Sequence, residues 1–124
     1  MNQMDSLNIL IVDDEDVVRD TLTAIMTYLG HKPESAMDGL LGKDMMQQKK
    51  FSAAFVDLRM PGIDGMTLLK WARETHPELP IIIMTGHGDD ESRDEAMKSG
   101  AYAFLTKPFS IKKIKKLAIE IQAQ

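Results

Sequence analysis

Cysteine is absent from the 124 residues of this chain. There can therefore be no disulfide framework and no metal site built from thiolates, and we expect a reducing, cytoplasmic environment. Long apolar runs are absent as well, since none approaches the roughly 20 residues that a membrane-spanning helix needs. Residues 1–8 also lack the basic-then-apolar pattern of a signal peptide. We therefore predict a protein that has no membrane partner.

Charge of one sign is in only slight excess. The formal net charge is -4, which argues against a domain that binds nucleic acid directly. Apolar residues make up 44% and charged residues 27% of the chain, as is typical of a globular protein with a hydrophobic core. No repeat, low-complexity segment or linker divides the sequence, so we expect one domain over residues 1–124.

Short apolar runs alternate with amphipathic segments along the whole chain. The runs are too short for helices and are bounded by turn residues, so we predict five strands, each followed by a helix. Asp14 or Asp16 could cap the first helix. Gly42 in the second helix could pack closely against the sheet or lie on a tolerant surface. The residues predicted to face inward are Leu41, Met45 and Met46 in the second helix, Ala96 and Met97 in the fourth, and Ile111, Ile114, Ala118 and Ile121 in the fifth. The predicted strands are residues 8–12, 31–37, 53–57, 81–84 and 102–105.

Five strand–helix alternations predict an α/β fold. Strands joined by right-handed helical crossovers form a parallel sheet with helices on both faces. Among the possible strand orders we expect the doubly wound, flavodoxin-like order 2-1-3-4-5. Pro33 weakens the second strand, which suits the sheet edge that this order gives it.

Polar side chains follow several of the predicted strands. Asp13 and Asp14 follow the first strand, Asp57 ends the third, Thr85 follows the fourth and Lys107 follows the fifth. Taken singly, each could be a helix cap or a solvated surface residue. Together they would meet at the carboxyl edge of the sheet, where such folds bind ligands. Clustered carboxylates suit Mg²⁺, the lysine could neutralise a phosphoryl group, and Asp57 could be a carboxylate nucleophile.

The motifs around these residues are specific as a combination. The chain resembles, over essentially its whole length, the receiver domain of two-component response regulators. The matching segments are Val12-Asp13-Asp14-Glu15, Val56-Asp57-Leu58-Arg59-Met60-Pro61-Gly62-Ile63-Asp64-Gly65, Met84-Thr85-Gly86 and Lys107-Pro108-Phe109.

The resemblance implies a role for each site residue. Asp57 would accept a phosphoryl group from the phosphohistidine of a sensor histidine kinase or a phosphotransfer protein. Asp14 would bind Mg²⁺ directly and Asp13 through water, and the main-chain carbonyl of Arg59 would complete the protein ligands. Lys107 would contact the phosphoryl oxygens.

The resemblance also implies a conformational switch. Thr85 would be the switch hydroxyl, and Phe104 would be the switch aromatic because it lies three residues before Lys107, whereas Tyr102 lies five before. The face formed by the fourth helix, fifth strand and fifth helix would then regulate a downstream protein or a linked output domain, or form a phosphorylation-dependent homodimer. The peptide bond before Pro108 is expected to be cis.

Arg59 and His87 flank the predicted site, and two roles are open for each of them. Arg59 and His87 could modulate dephosphorylation, or they could be solvated residues at the rim. Three other enzyme or cofactor classes fit poorly: a dehalogenase-type phosphatase needs a second Asp where Arg59 stands, no P-loop is present, and a flavodoxin-like fold alone does not imply flavin. We expect a signalling domain that is not otherwise an enzyme. The alternative is an interaction module with the same fold that acts without phosphorylation.

Overall fold

The computed structural model describes residues 6–86 and 89–124 of the chain. They form five strands and five helices in strict alternation. The strands are β1 (Asn8–Val12), β2 (Lys32–Ala36), β3 (Ala53–Asp57), β4 (Ile81–Thr85) and β5 (Ala103–Thr106). The helices are α1 (Asp16–Tyr28), α2 (Gly39–Gln48), α3 (Gly65–Thr75), α4 (Asp90–Lys98) and α5 (Ile111–Gln122).

The sheet is parallel, and its strand order is β2-β1-β3-β4-β5. This confirms the order predicted from the sequence. The apolar runs of β1, β3 and β4 are buried along nearly their whole length because helices cover both faces of the sheet. Strand β2, which contains Pro33, lies at one edge, as predicted. None of the helices in the described part of the chain is long and apolar enough to cross a bilayer.

Each face of the sheet has its own hydrophobic cluster. One cluster packs α1 and α5 on the sheet through residues that include Leu22, Met26 and Ile114. The other packs α2, α3 and α4 on the opposite face, where Leu68 and Ala96 are fully buried. The strands contribute alternate side chains to the two clusters, as a parallel sheet covered on both faces requires.

Three residues predicted to face inward are instead exposed: Leu41 is 41% exposed, Met97 45% and Ile111 55%. The prediction was wrong for each of them, whereas Met46, Ala96 and Ile114, predicted to face inward on the same three helices, are buried. In α2, Gly42 packs closely against the sheet, since a Cβ atom there would lie 2.9 Å from Val12 Cγ2 of β1. The inward face of α5 begins only at Ile114.

Candidate functional site

Two acidic residues lie side by side at the carboxyl edge of the sheet. Strands β1 and β3 pair in parallel with Val12 opposite Val56, so the residues that follow, Asp13 and Asp57, come next to each other. Asp13 is fully buried and Asp57 is 5% exposed. Burying two carboxylates together is costly unless a cation neutralises them.

Lys107 supplies one such cation. Its Nζ atom donates to Asp13 Oδ2 at 2.8 Å and to Asp57 Oδ1 at 2.9 Å, and it lies 3.5 Å from Glu15 Oε1. The lysine follows β5, and β4 stands between β5 and β3. The side chain therefore reaches across one strand to the carboxylates, while its main-chain N–H donates to the Thr85 carbonyl at 2.7 Å.

A third carboxylate completes an acidic cluster. Asp13, Asp14 and Asp57 each offer an oxygen atom within 4.8 Å of the others. Asp14 is exposed, so the cluster is open to solvent on that side. Carboxylate oxygens are the ligands that hard divalent cations prefer, and Mg²⁺ needs only one or two of them together with waters. The donor set therefore fits Mg²⁺.

Electrostatics at the cluster favour a bound cation. Burial, together with the charges of Asp13 and Asp14, raises the pKa of Asp57 to about 6, although Lys107 opposes the change. Burial alone would lower the pKa of Lys107, but its hydrogen bonds with Asp13 and Asp57 raise it overall. At neutral pH the lysine is therefore charged, and Asp57 is mostly ionised in an environment that disfavours its charge. A second cation would relieve that penalty.

Thr85 and Phe104 flank the cluster on neighbouring strands. Thr85 ends β4 and is 2% exposed. Phe104 lies in β5, is half-buried, and packs against the hydrophobic cluster between the sheet and helices α2, α3 and α4. The Arg93 guanidinium carbon of α4 lies 5.6 Å from its ring centroid. Tyr102 instead packs on the α1 and α5 side and donates from its hydroxyl to Glu120 of α5 at 3.1 Å. The two aromatics therefore contact different helices.

The remaining predicted site residues lie around the rim. Arg59 is exposed two residues after Asp57. The peptide bond between Lys107 and Pro108 is cis. His87 lies outside the described residues.

The start of α1 differs from the sequence expectation. The helix begins at Asp16, and its N-cap residue is Glu15, whose side chain makes no capping hydrogen bond. Neither Asp14 nor Asp16 caps it, because the N-cap position falls on Glu15 between them. The main-chain N–H of Glu15 donates to Asp13 Oδ1 at 2.9 Å. Arg19 was not among the predicted site residues, yet its guanidinium donates to the main-chain carbonyl of Asp13 at 2.7 Å. A basic residue one turn into a helix that follows an acidic strand end was the available signal.

The fold and the site together define a doubly wound α/β protein with an acidic cluster and a lysine at the carboxyl edge of its sheet. A family model described as the response regulator receiver domain matches residues 9–119. The chain therefore belongs to the receiver domain family of two-component response regulators.

Individual relatives agree with this assignment. The chain is 34% identical over 113 residues to an NtrX-like response regulator of Rickettsia felis, covering 90% of this chain and 24% of that protein. It is 41% identical over 102 residues to the C4-dicarboxylate transport transcriptional regulatory protein DctD of Pseudomonas aeruginosa, covering 82% and 22%. The crystal structure of the receiver domain of NtrX from Brucella abortus superimposes with a TM-score of 0.88 at 32% identity, covering 94% of this chain and 98% of that one. The chain thus spans about a quarter of the length of the two curated relatives.

Proposed function

We propose that Asp57 accepts a phosphoryl group from the phosphohistidine of a sensor histidine kinase or a phosphotransfer protein in the cytoplasm. The modified chain would then regulate a downstream protein or a linked output domain. The observation that carries the proposal is the buried contact of Asp57 with Lys107 beside two further carboxylates. That arrangement combines an ionised nucleophile, a fixed positive charge and a donor set for a metal ion at one edge of the sheet.

The transfer is one displacement at phosphorus. A carboxylate oxygen of Asp57 forms the new P–O bond, and the bond from phosphorus to the donor histidine nitrogen breaks, so that its electrons stay on the imidazole. The incoming group brings negative charge to a site that already holds three carboxylates. Lys107 lies within reach of Asp57 at 2.9 Å and neutralises part of that charge. Beyond its own phosphorylation and dephosphorylation, the chain catalyses no reaction in this proposal.

Mg²⁺ would be held by Asp13, Asp14 and Asp57, with the main-chain carbonyl of Arg59 as a further ligand. When bound, it supplies positive charge to the phosphoryl oxygens. The acidic cluster supports this assignment because its carboxylates lie close together and only one lysine reaches Asp57 and Asp13 in the described part of the chain.

The direct test is the intact mass of the protein after incubation with Mg²⁺ and acetyl phosphate. We expect a gain of one phosphoryl group that requires Mg²⁺ and is absent in Asp57→Asn. Asp44→Asn is the matched control, since Asp44 is an exposed aspartate of α2, and it should gain the group as the wild type does. If no mass is gained and beryllofluoride causes no conformational response, the proposal is wrong and the interaction-module alternative takes its place.

The same proposal includes a switch through Thr85 and Phe104. Phosphorylation adds acceptor oxygens near the buried end of β4, Thr85 moves toward them, and Phe104 fills the space that Thr85 leaves. The face formed by α4, β5 and α5 then changes and is read by the partner or by a second copy of the chain. Arg59 and His87 would tune how long the phosphoryl group survives.

We expect Thr85→Ala to bind beryllofluoride but to lose most of the response of the α4–β5–α5 face. Without the hydroxyl, the added acceptor atoms have no group on β4 to draw toward them. Amide chemical shifts with and without beryllofluoride would measure this, with at least a fivefold smaller mean change in α4 and β5 than in the wild type. Thr106→Ala is the control, because Thr106 is the exposed register partner of Thr85 on β5. A full response in Thr85→Ala would rule out the Thr-coupled switch.

A further inference from the structure

Arg19 links helix α1 to Asp13, the residue that follows strand β1. Its Nη1 atom donates to the main-chain carbonyl of Asp13 at 2.7 Å, and its Nη2 atom pairs with the Asp16 carboxylate. The side chain is only 16% exposed although it lies near the rim of the sheet. The guanidinium is therefore fixed by two partners over the turn that carries Asp13 and Asp14.

Asp13 is held at every polar atom. Its Oδ1 accepts from the Glu15 N–H at 2.9 Å, its Oδ2 accepts from Lys107 at 2.8 Å, and its own N–H donates to the Ala36 carbonyl at 3.2 Å. The Arg19 bond to its carbonyl is the fourth of these contacts. No freedom remains for Asp13 to adapt to a ligand without breaking a hydrogen bond.

Asp14 is the opposite case. It is exposed, and within residues 6–86 and 89–124 no hydrogen bond reaches its carboxylate. The side chain can turn about its own bonds, so its main chain alone limits where the carboxylate can reach. That main chain begins with the peptide between Asp13 and Asp14, whose oxygen atom is the one that Arg19 holds. Rotation of this peptide would turn the Asp14 carboxylate away from Asp13 and Asp57.

We propose that Arg19 is a positioning residue of the metal site: by holding the Asp13–Asp14 peptide, it keeps the Asp14 carboxylate within reach of the cation. The inference rests on the proposed function only in taking the acidic cluster as an Mg²⁺ site. Groups that orient metal ligands without touching the metal commonly change metal affinity by about 10- to 100-fold when they are removed.

The sign of the effect separates positioning from simple charge. Arg19 is a cation close to a cation site. If it acted only through its charge, its removal would reduce repulsion and strengthen Mg²⁺ binding. Removing it as a positioning residue would weaken Mg²⁺ binding, because the main chain of Asp14 would no longer be held beside Asp13 and Asp57. The two accounts therefore predict opposite changes in the same dissociation constant.

The experiment is calorimetric titration of the 124-residue chain with Mg²⁺ in wild type, Arg19→Met, Arg19→Lys and Asp16→Asn. We expect Arg19→Met to bind Mg²⁺ about 10-fold more weakly. Arg19→Lys keeps the charge, but an ammonium group cannot serve two acceptors as the forked guanidinium does. Its affinity for Mg²⁺ should therefore lie between those of the wild type and Arg19→Met. Asp16→Asn leaves the bond to the Asp13 carbonyl in place and should change the affinity no more than about 2-fold.

Each result decides the inference. Unchanged or tighter Mg²⁺ binding in Arg19→Met would overturn it, as would an equally large loss in Asp16→Asn, which would point to the ion pair rather than the carbonyl contact. Thermal unfolding of each variant without metal shows whether the folded state is retained; if Arg19→Met does not fold, the comparison of Arg19→Lys with wild type decides.

The rate of phosphorylation provides a second measurement. In the acetyl phosphate reaction, Arg19→Met should need about 10-fold more Mg²⁺ for half-maximal rate but approach the wild-type rate at saturating Mg²⁺. A fall in the saturated rate with no change in the Mg²⁺ requirement would overturn the inference. Failure of the proposed function looks different: the wild type would bind Mg²⁺ and gain no phosphoryl group, while the ranking of the variants in metal affinity would still hold.

Discussion

An Asp57→Asn variant should resist denaturant better than the wild type when both proteins are free of metal. The carboxylate of Asp57 is buried beside Asp13 and near Asp14, and these surroundings raise its pKa from 3.8 to about 6 despite the hydrogen bond from Lys107. The folded protein therefore disfavours the charged form. An amide of the same shape removes that penalty, and we expect a gain of about 2 kcal/mol in the free energy of unfolding at pH 7.5.

The pH dependence follows from the direction of the change in pKa. Because the folded state binds the Asp57 proton more tightly than the unfolded state does, the contribution of Asp57 to the free energy of unfolding falls as pH rises from about 4 to about 6. Asparagine does not titrate. The advantage of Asp57→Asn should thus be absent near pH 4, grow through this window and stay constant above it. Titrating groups away from the acidic cluster are common to both proteins and cancel in the difference.

Urea denaturation in EDTA at several pH values between 4.5 and 7.5 measures this difference. Asp44→Asn, on the exposed surface of α2, should stay within about 0.5 kcal/mol of the wild type at each pH. Added Mg²⁺ should narrow the gap between Asp57→Asn and wild type, because it binds the intact acidic cluster and stabilises the folded wild type by mass action. A variant less stable than wild type at pH 7.5 would mean that the contact between Lys107 and Asp57 outweighs the repulsion among the carboxylates.

The sequence was sufficient for the sheet because of how a parallel sheet is buried. Strands covered on both faces are continuous apolar runs. The runs at residues 8–12 and 81–84 were therefore recognisable as strands without an alternation of apolar and polar residues. The predicted strand order then places Asp13, Asp57 and Lys107 near one another at the carboxyl edge of the sheet. Edge strand β2, with its mixed burial, was predictable chiefly from its place in the alternation.

What the sequence could not supply depends on single atoms. Helical spacing indicates that α2 is amphipathic, but it does not tell that Gly42 rather than Leu41 faces Val12. Capping preferences favoured Asp14 or Asp16, yet the N-cap position falls on Glu15, whose side chain makes no capping hydrogen bond. The contact of Arg19 with the Asp13 carbonyl depends on the path of a long side chain, which residue spacing does not determine.

Gly65 lies closer to Asp57 than its place in a turn-like sequence suggests. It is the first residue of α3, and its N–H donates to the Leu58 carbonyl at 2.9 Å. A Cβ atom here would overlap the Asp57 carbonyl oxygen and lie 2.8 Å from the Leu58 Cα atom. Both neighbours are main chain, so no side-chain rotation can make room. We expect Gly65→Ala to lower the free energy of unfolding by about 3 kcal/mol.

The same overlap should slow phosphorylation in the molecules that stay folded. The helix can accept the methyl group only by moving away from the segment that carries Asp57, and shifts of about 1 Å at a reacting group can cost on the order of 100-fold in rate. Urea denaturation and acetyl phosphate kinetics at low temperature would measure the two effects separately. Gly86→Ala is the matched control: it makes the same substitution next to Thr85, where a Cβ atom would meet no other described atom within 4 Å. Equal stability of Gly65→Ala and Gly86→Ala would show that α3 can move away from β3 at little cost, and would remove the steric reason for glycine at the start of this helix.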